Sequence, residues 1–406
     1  MKRIFYILFS FFFAFLFFVN PLTSMASDGY IPDVEEADSA EVNVEASAAD
    51  ENAVLTLNAP SCILMEKGGT VLFEKNPDEK RACASITKVM TLILTFEAIE
   101  QGKFTYTDML TASAHASSMG GSDIWLKEGE SMSVDDLIKA TVVMSANDAA
   151  VVLAEAVAGS EEAFVNMMNE KAKLLGMNNT VFKNCNGLDE EGHLTTARDV
   201  AIMSCELLKH EKIFDYTSIW IDYVRGGETQ LVNTNKLIKS YKGITGLKTG
   251  TTGQAKSCIT ASAQRDNLSL VAVVLGADNT DYRFKDAAAL LNYGFANYKI
   301  NSPEVPVIEN VPVLSGMKKD VPVKIVGTPE ILVSNNEQNE IKCDIKLNEN
   351  IKAPIKEGDK LGDVVYLLNN KEVCRLPVEA AGSAEEISFT AVFCKIMEVL
   401  FTPQRQ

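Results

Sequence analysis

Histidine is scarce in this sequence. Its 406 residues contain three, His115, His193 and His210, with no His-x-x-x-His pair, which argues against a zinc hydrolase and leaves little material for a Ser-His-Asp triad. The eight cysteines, Cys62, Cys83, Cys185, Cys205, Cys258, Cys343, Cys374 and Cys394, lie far apart, and no Cys-x-x-Cys occurs. That excludes a zinc knuckle or thioredoxin-type motif, and it makes buried thiols in a large core as good a reading as disulfides. Basic residues are also short: 38 Lys and Arg stand against 55 Asp and Glu, a formal charge of −17. A nucleic-acid partner needs clustered cations and is not expected. No pattern asks for a metal or an organic cofactor.

Long apolar runs are missing except at the start, where Met1-Lys2-Arg3 precede an apolar stretch from Ile4 to Val19 and then Pro21, Ser24, Ala26 and Ser27. A basic start, an apolar core and a small-residue exit describe a secretory signal over 1–26, with cleavage after Ala26. The alternative is a retained anchor, for which the run is short against the roughly 20 residues of a bilayer span. Both readings export the body of the chain to the outer face of the cytoplasmic membrane. Residues 27–52 are rich in Asp, Glu, Ala and Ser, lack Lys and Arg, and read as a solvated spacer.

The rest implies an α+β fold, an antiparallel sheet flanked by helices over 53–300, followed by a small all-β domain over 301–382 and an amphipathic tail over 383–406. Two β-like runs, Ser61 to Glu66 and Thr70 to Glu74, meet through Lys67-Gly68-Gly69, a hairpin signal. Ile86, Val89, Met90, Ile93 and Leu94 recur at helical spacing, so Ser85 is expected to open a buried helix. A second helix opens at Ser133, with Asp136 as a capping-box partner, and ends at Met144; others cover Asp148 to Val157 and Phe164 to Leu175. β patterns return at Gly243 to Gly250, Ser257 to Ala263 and Leu268 to Gly276, before a helix through Leu290, Leu291 and Phe295. Short alternating runs such as Val321 to Val326, Ile341 to Leu347 and Val364 to Leu368 make the small β domain. The tail, Ala384 to Phe401, is apolar apart from a stripe of Ser388, Lys395, Glu398 and Thr402, which suits a helix lying in a membrane surface.

Three short motifs carry chemistry. In Ser85-Ile86-Thr87-Lys88 the hydroxyl and amine stand three apart, on one face of a helix, where a lysine desolvated by its apolar neighbours can take the serine proton. Ser145-Ala146-Asn147 falls on a corner between helices, where Ser145 and Asn147 can both face a cleft; the plainer reading has Ser145 cap the next helix. Lys248-Thr249-Gly250 falls on a strand whose exposed edge presents an amine and a hydroxyl suited to a carboxylate. Glycines 243, 246 and 250 are expected to leave room there for a substrate backbone.

Together and in this order the motifs resemble those of the penicillin-recognising serine enzymes. Within that group the chain is similar to the low-molecular-mass penicillin-binding proteins that act as D-alanyl-D-alanine carboxypeptidases, the S11 serine peptidases, and the likeness spans nearly everything after the signal. The resemblance implies that Ser85 forms an acyl-enzyme, Lys88 is its base and Ser145 relays a proton to the leaving amine. It further implies that Asn147 holds the substrate amide, that Lys248, Thr249 and Arg283 meet the terminal carboxylate, and that the backbone NH groups of Ser85 and Thr251 form the oxyanion hole. The implied substrate is a peptidoglycan stem peptide ending in D-Ala-D-Ala, with β-lactams as covalent inhibitors. Relatives often carry a proline shortly before the nucleophile; Ala82-Cys83-Ala84 replaces it here, with Cys83 read as a core residue. One rival is a class A β-lactamase, but the loop from Asn184 to Thr196 offers Glu190 and Glu191 without the Glu-x-x-Leu-Asn pattern. The other is a catalytically silent wall-binding relative, against which the intact motifs argue.

Overall fold

The computed structural model describes residues 55–335 and 340–401, so the expected signal and spacer lie outside the described residues. β1 (Ser61–Glu66) and β2 (Val71–Lys75) pair as the expected antiparallel hairpin. α1 (Lys88–Glu100) follows and is buried almost all round, the signature of a helix enclosed by its neighbours. β3 (Met109–Thr111) and β4 (Ser131–Ser133) pair across the loop that holds α2 (Ala114–Ser117). α3 (Val134–Val143) starts where the capping pattern places it: Ser133 Oγ accepts the Asp136 amide at 3.1 Å.

α4 (Asn147–Ala158), α5 (Glu161–Leu174) and α6 (Ala197–Leu207) complete the main helical layer. α6 was not expected, although Thr196 caps it and Val200, Met203 and Leu207 mark its buried face. α7 (Phe214–Thr217), the hairpin of β5 (Ile221–Val224) and β6 (Thr229–Val232), and α8 (Leu237–Ser240) lead to three long strands, β7 (Ile244–Thr252), β8 (Lys256–Arg265) and β9 (Leu268–Ala277). α9 (Thr280–Asn297) closes this part of the chain.

The first hairpin and the three long strands form one antiparallel sheet in the order β2-β1-β9-β8-β7. Alternation decides its layers. Ile63, Met65, Val271, Val273 and Leu275 pack with the α1 to α6 side, while Cys62, Leu64, Leu270, Ala272 and Val274 pack with Phe284, Ala287, Leu290 and Leu291 of α9. A strand covered on both faces reads as a continuous apolar run, which is what β9 shows. Each enclosed Val, Leu, Ile, Phe or Met among these stabilises the fold by about 1.5–3 kcal/mol. β7 is left as the edge strand beside the helices, and the site forms there.

Beyond it, β10 (Tyr298–Asn301), β11 (Asn310–Pro312), β12 (Asp320–Ile325), β13 (Ile331–Ser334), β14 (Ile341–Leu347), β15 (Lys360–Leu368) and β16 (Lys371–Ala380) are all antiparallel, with a five-stranded sheet ordered β11-β12-β16-β15-β14. α10 (Phe389–Phe401) starts later than the apolar pattern suggested, because Ala384 and Glu386 still bridge to Ile355 and Gly316 as extended chain. Thr402 of the expected polar stripe and the side chains of Lys395 and Glu398 lie outside the described residues. All eight cysteines are free: Cys62, Cys83, Cys185, Cys205 and Cys258 are buried, whereas Cys343 and Cys394 are exposed rather than in a core.

Candidate active site

Ser85 does not sit in an α-helix. It lies in a 3₁₀ turn, Ala84–Thr87, and the α-helix begins only at Lys88. The cause is the chain bend just before it: Ala84 has a left-handed φ of 50°, which no right-handed helix accommodates. Two glycines let other backbone press against this bend. A Cβ on Gly187 would come within 2.0 Å of the Ala84 carbonyl, and one on Gly250 would lie 2.5 Å from the Cys83 carbonyl and 3.0 Å from the Ser85 nitrogen.

Lys88 is completely buried beneath the nucleophile turn. Its Nζ stands 3.0 Å from Ser85 Oγ, 2.5 Å from Asn147 Oδ1 and 2.7 Å from the Asn186 carbonyl. Burial pushes the amine down from its ordinary 10.5 to about 7, against opposing pulls that include Asp123 and Asp148. An ammonium there has an acceptor for each hydrogen. A neutral amine donates to Asn147 and Asn186 and turns its lone pair to the Ser85 hydroxyl, the arrangement that can remove the serine proton. Asn186 escaped the sequence reading because it acts through its backbone carbonyl, which any residue type supplies.

The corner between α3 and α4 brings in Ser145 and Asn147. Ser145 has φ 66°, and its buried Oγ has no hydrogen-bond partner among the described residues. The capping reading of Ser145 is wrong: Ala146 occupies the N-cap position of α4, without a side-chain cap bond. An unpartnered buried hydroxyl is costly, and such costs concentrate at sites that meet a ligand. Asn147 spans the site, accepting from Lys88 and donating through Nδ2 to the Gly120 carbonyl at 2.6 Å. Its neighbour Asp148 collects the amides of Ile124, Leu126 and Ala149, fastening the loop that carries Asp123. Burial, with Asp148 beside it, pushes the Asp123 carboxyl up to about 6.

The facing wall is β7. Lys248 and Thr249 are buried rather than on an exposed edge, because the nucleophile turn covers that side of the strand. The three glycines do not leave substrate room either: added Cβ atoms at Gly243, Gly246 and Gly250 would meet Gln264, Thr217 and Cys83. Lys248 Nζ donates to the Thr249 carbonyl at 3.1 Å. Its amine is pushed well below the ordinary value by burial, then by the positive charges of Lys88 and Arg283. Burial is the dominant cause at Lys88 as well. Thr249 Oγ1 donates to Thr234 Oγ1 at 2.6 Å. From α9, buried Arg283 reaches the same strand, donating through Nη1 to Thr251 Oγ1 at 2.8 Å and to the Gly250 carbonyl at 3.2 Å. All eight residues singled out in the sequence thus belong to these two facing walls. Among the described residues, no cluster of His, Cys, Asp or Glu is arranged to hold a metal ion.

The chain is similar to known proteins over most of its length. A family model described as D-alanyl-D-alanine carboxypeptidase matches residues 45–279, and one described as penicillin-binding protein 5, C-terminal domain, matches residues 297–386. The D-alanyl-D-alanine carboxypeptidase DacF of Bacillus subtilis is 41% identical over 350 residues, 84% of this chain and 90% of the relative. DacC of Escherichia coli is 33% identical, over 86% of this chain and 88% of the relative. Among solved structures, penicillin-binding protein 5 from Haemophilus influenzae superposes with a TM-score of 0.68 at 30% identity, covering 82% of this chain and 98% of that one. PBP3 from Streptococcus pneumoniae, a peptidoglycan synthesis regulatory factor, gives 0.70 at 26% identity, covering 81% and 100%. With a serine–lysine pair at the head of its buried helix and relatives of this breadth, the chain belongs to the S11 family of serine peptidases, the penicillin-binding D-alanyl-D-alanine carboxypeptidases of peptidoglycan.

Proposed function

We propose that Ser85 attacks the carbonyl carbon of the penultimate D-alanine of a stem peptide while its proton passes to neutral Lys88. The observation that carries this reading is the 3.0 Å contact between Ser85 Oγ and a fully buried lysine amine pushed down to about 7. The backbone NH groups of Ser85 and Thr251 receive the oxyanion, preorganised donors of the kind that lower acyl-transfer barriers. Ser145 relays the proton held by Lys88 to the departing D-alanine amine, taking it up as it gives its own hydrogen; water then attacks the ester with its proton passing to the again neutral Lys88, which returns it to Ser85 Oγ as the acid leaves. Asn147 holds the substrate amide with its remaining Nδ2 hydrogen. Lys248, Thr249 and Arg283 form the carboxylate subsite, where the ligand's charge restores the ammonium form of Lys248.

β-Lactams enter the same cycle and stall as the acyl-enzyme. Among the described residues, no carboxylate is hydrogen-bonded to Ser85, Lys88 or Ser145, while Asp189 is engaged by Thr252 and Glu190 by Asn184. This favours slow deacylation over β-lactamase turnover. Mass spectrometry after penicillin treatment is the test: a lasting adduct on the Ser85 peptide is expected, and Ser85→Ala should abolish it and peptide hydrolysis while melting unchanged. An adduct persisting in that variant would move the nucleophile elsewhere.

An enzyme of peptidoglycan is an exported one, and we assign 1–26 to the signal, 27–52 to a spacer, 53–300 to the catalytic domain, 301–382 to the β domain and 383–406 to a tail lying on the outer face of the membrane. No helix among the described residues is long and apolar enough to cross a bilayer. α10 instead exposes Phe389, Phe393, Ile396, Leu400 and Phe401, spaced to bury one stripe in an interface. Deleting 384–406 should release the protein from membranes with activity on a soluble peptide unchanged; retention in the membrane fraction would point to an uncleaved N-terminal anchor.

A further inference from the structure

His193 is buried behind the nucleophile turn, edge-on to Phe182. The Lys183 amide, which has only a hydrogen to offer, stands 3.3 Å from Nδ1. Nδ1 is therefore the acceptor, and the ring hydrogen belongs on Nε2, which lies 2.9 Å from Thr87 Oγ1. Having accepted that bond, the Thr87 hydroxyl turns its own hydrogen to Cys83 Sγ at 3.5 Å, and the thiol faces the Ala84 carbonyl at 3.8 Å. The backbone amide of Lys183 sets the direction at His193 and Thr87, and the thiol's donation to the Ala84 carbonyl leaves Cys83 Sγ to accept from Thr87.

Both ends of this chain of bonds matter to the site. Thr87 stands between Ser85 and Lys88 in one turn, and Ala84 is the residue whose left-handed backbone forms the bend. The segment that supplies His193 also supplies the Asn186 carbonyl to Lys88 and the close approach of Gly187 to Ala84. A shift of the turn against that segment would separate Lys88 from its acceptor and re-aim Ser85 together.

We propose that neutral His193 is a positioning residue for acylation, holding the Ser85–Lys88 turn in register with the Asn186 carbonyl through Thr87 and Cys83. The inference rests on Ser85 being the nucleophile. His193 touches no substrate, and its second nitrogen is already occupied, which excludes service as a general base. Burial pushes the imidazole down to about 4, against the pull of Glu190 and Asp189 and with that of Lys183, so the ring keeps its neutral form through neutral pH. The same chain of bonds makes Cys83 a structural residue, since its thiol is buried and pushed up to about 11, which removes the thiolate that redox chemistry needs.

The test uses the full chain and a fluorescent penicillin, resolving the reversible binding constant from the first-order acylation rate. His193→Phe keeps the bulk and removes both nitrogens. Its acylation rate should fall by about tenfold or more with reversible binding unchanged, the cost of a misplaced reacting group. His193→Gln, which returns an N–H, should recover part of the loss. Thr87→Val should reproduce the fall, Thr87→Ser should rescue it, and the double variant His193→Phe with Thr87→Val should be no slower than the slower single one. Leu64→Ala, in the core on the far face of the sheet, should lower the melting temperature without touching the acylation rate. His193→Phe acylating at the wild-type rate would overturn the proposal, as would a loss that Leu64→Ala reproduces at equal melting temperature. If His193→Phe does not fold, Thr87→Val decides alone, and a wild-type rate there overturns it. A wild-type protein not labelled at Ser85 would sink the assignment of the nucleophile instead.

Discussion

Each wall of the cleft buries a lysine, and the two are treated differently. On the helical wall, Lys88 has three acceptors within 3.0 Å, one of them the Ser85 hydroxyl that we propose it deprotonates. On the strand wall, Lys248 has the Thr249 carbonyl at 3.1 Å, with Arg283, and Lys88 whenever it is protonated, opposing its charge. In the proposed mechanism the first amine is a base that desolvation has produced. The second is the proposed partner of a carboxylate, since desolvation and neighbouring positive charge disfavour its ammonium form and an anion would restore it. Burial by itself does not assign a role to an amine; the partners supplied around it do.

The largest effect that sharpens this contrast should come from arginine at each position. Lys88→Arg keeps the charge and removes the base, so the acylation rate by penicillin should fall by about 10²–10⁴, the usual worth of general-base catalysis. Lys248→Arg keeps what that wall needs, a cation beside a carboxylate, and should lose about tenfold or less, through misfit of the longer fork. Acylation rates that place Lys88→Arg above Lys248→Arg would reverse the two assignments.

A pH profile separates the walls next. The proposed mechanism makes the neutral amine of Lys88 the active form, so the acylation rate should climb as pH rises through about 7 and level above it. The linked effect on stability has the same sign. The unfolded chain carries the Lys88 proton up to the ordinary 10.5 while the folded chain releases it near 7, so this residue makes the fold more stable as pH rises between those values and contributes no slope below them. A flat rate between pH 5.5 and 8 would remove Lys88 as the base. The last separation concerns Arg283, which reaches β7 through Thr251 and Gly250. Arg283→Gln should raise KM for the peptide by about tenfold, the worth of about 1.4 kcal/mol of charged hydrogen bonding, with a smaller change in kcat. A fall in kcat at constant KM would make Arg283 part of the acylation machinery and blur the contrast.

The order Ser85, Lys88, Ser145, Asn147, Lys248, Thr249 was legible because chemistry-bearing side chains one to three residues apart constrain local geometry whatever surrounds them. Ser133 capping α3 and the Lys67-Gly68-Gly69 hairpin were legible for the same reason, each being decided within a few residues. Sequence alone also determined the two-sided burial of β9, since an unbroken apolar run tolerates no wet face. Tertiary structure alone decided the rest. Whether Ser85 opens an α-helix or a 3₁₀ turn depends on Gly187 and Gly250 pressing on the bend from segments far along the chain. That β7 would bury Lys248, that the hydroxyl of Ser145 would stay unpaired, and that Asn186 and His193 would support the nucleophile turn depend likewise on which surfaces meet. Local pattern carries information over one turn or one hairpin. Desolvation and backbone carbonyls act through space, and only the folded chain supplies them.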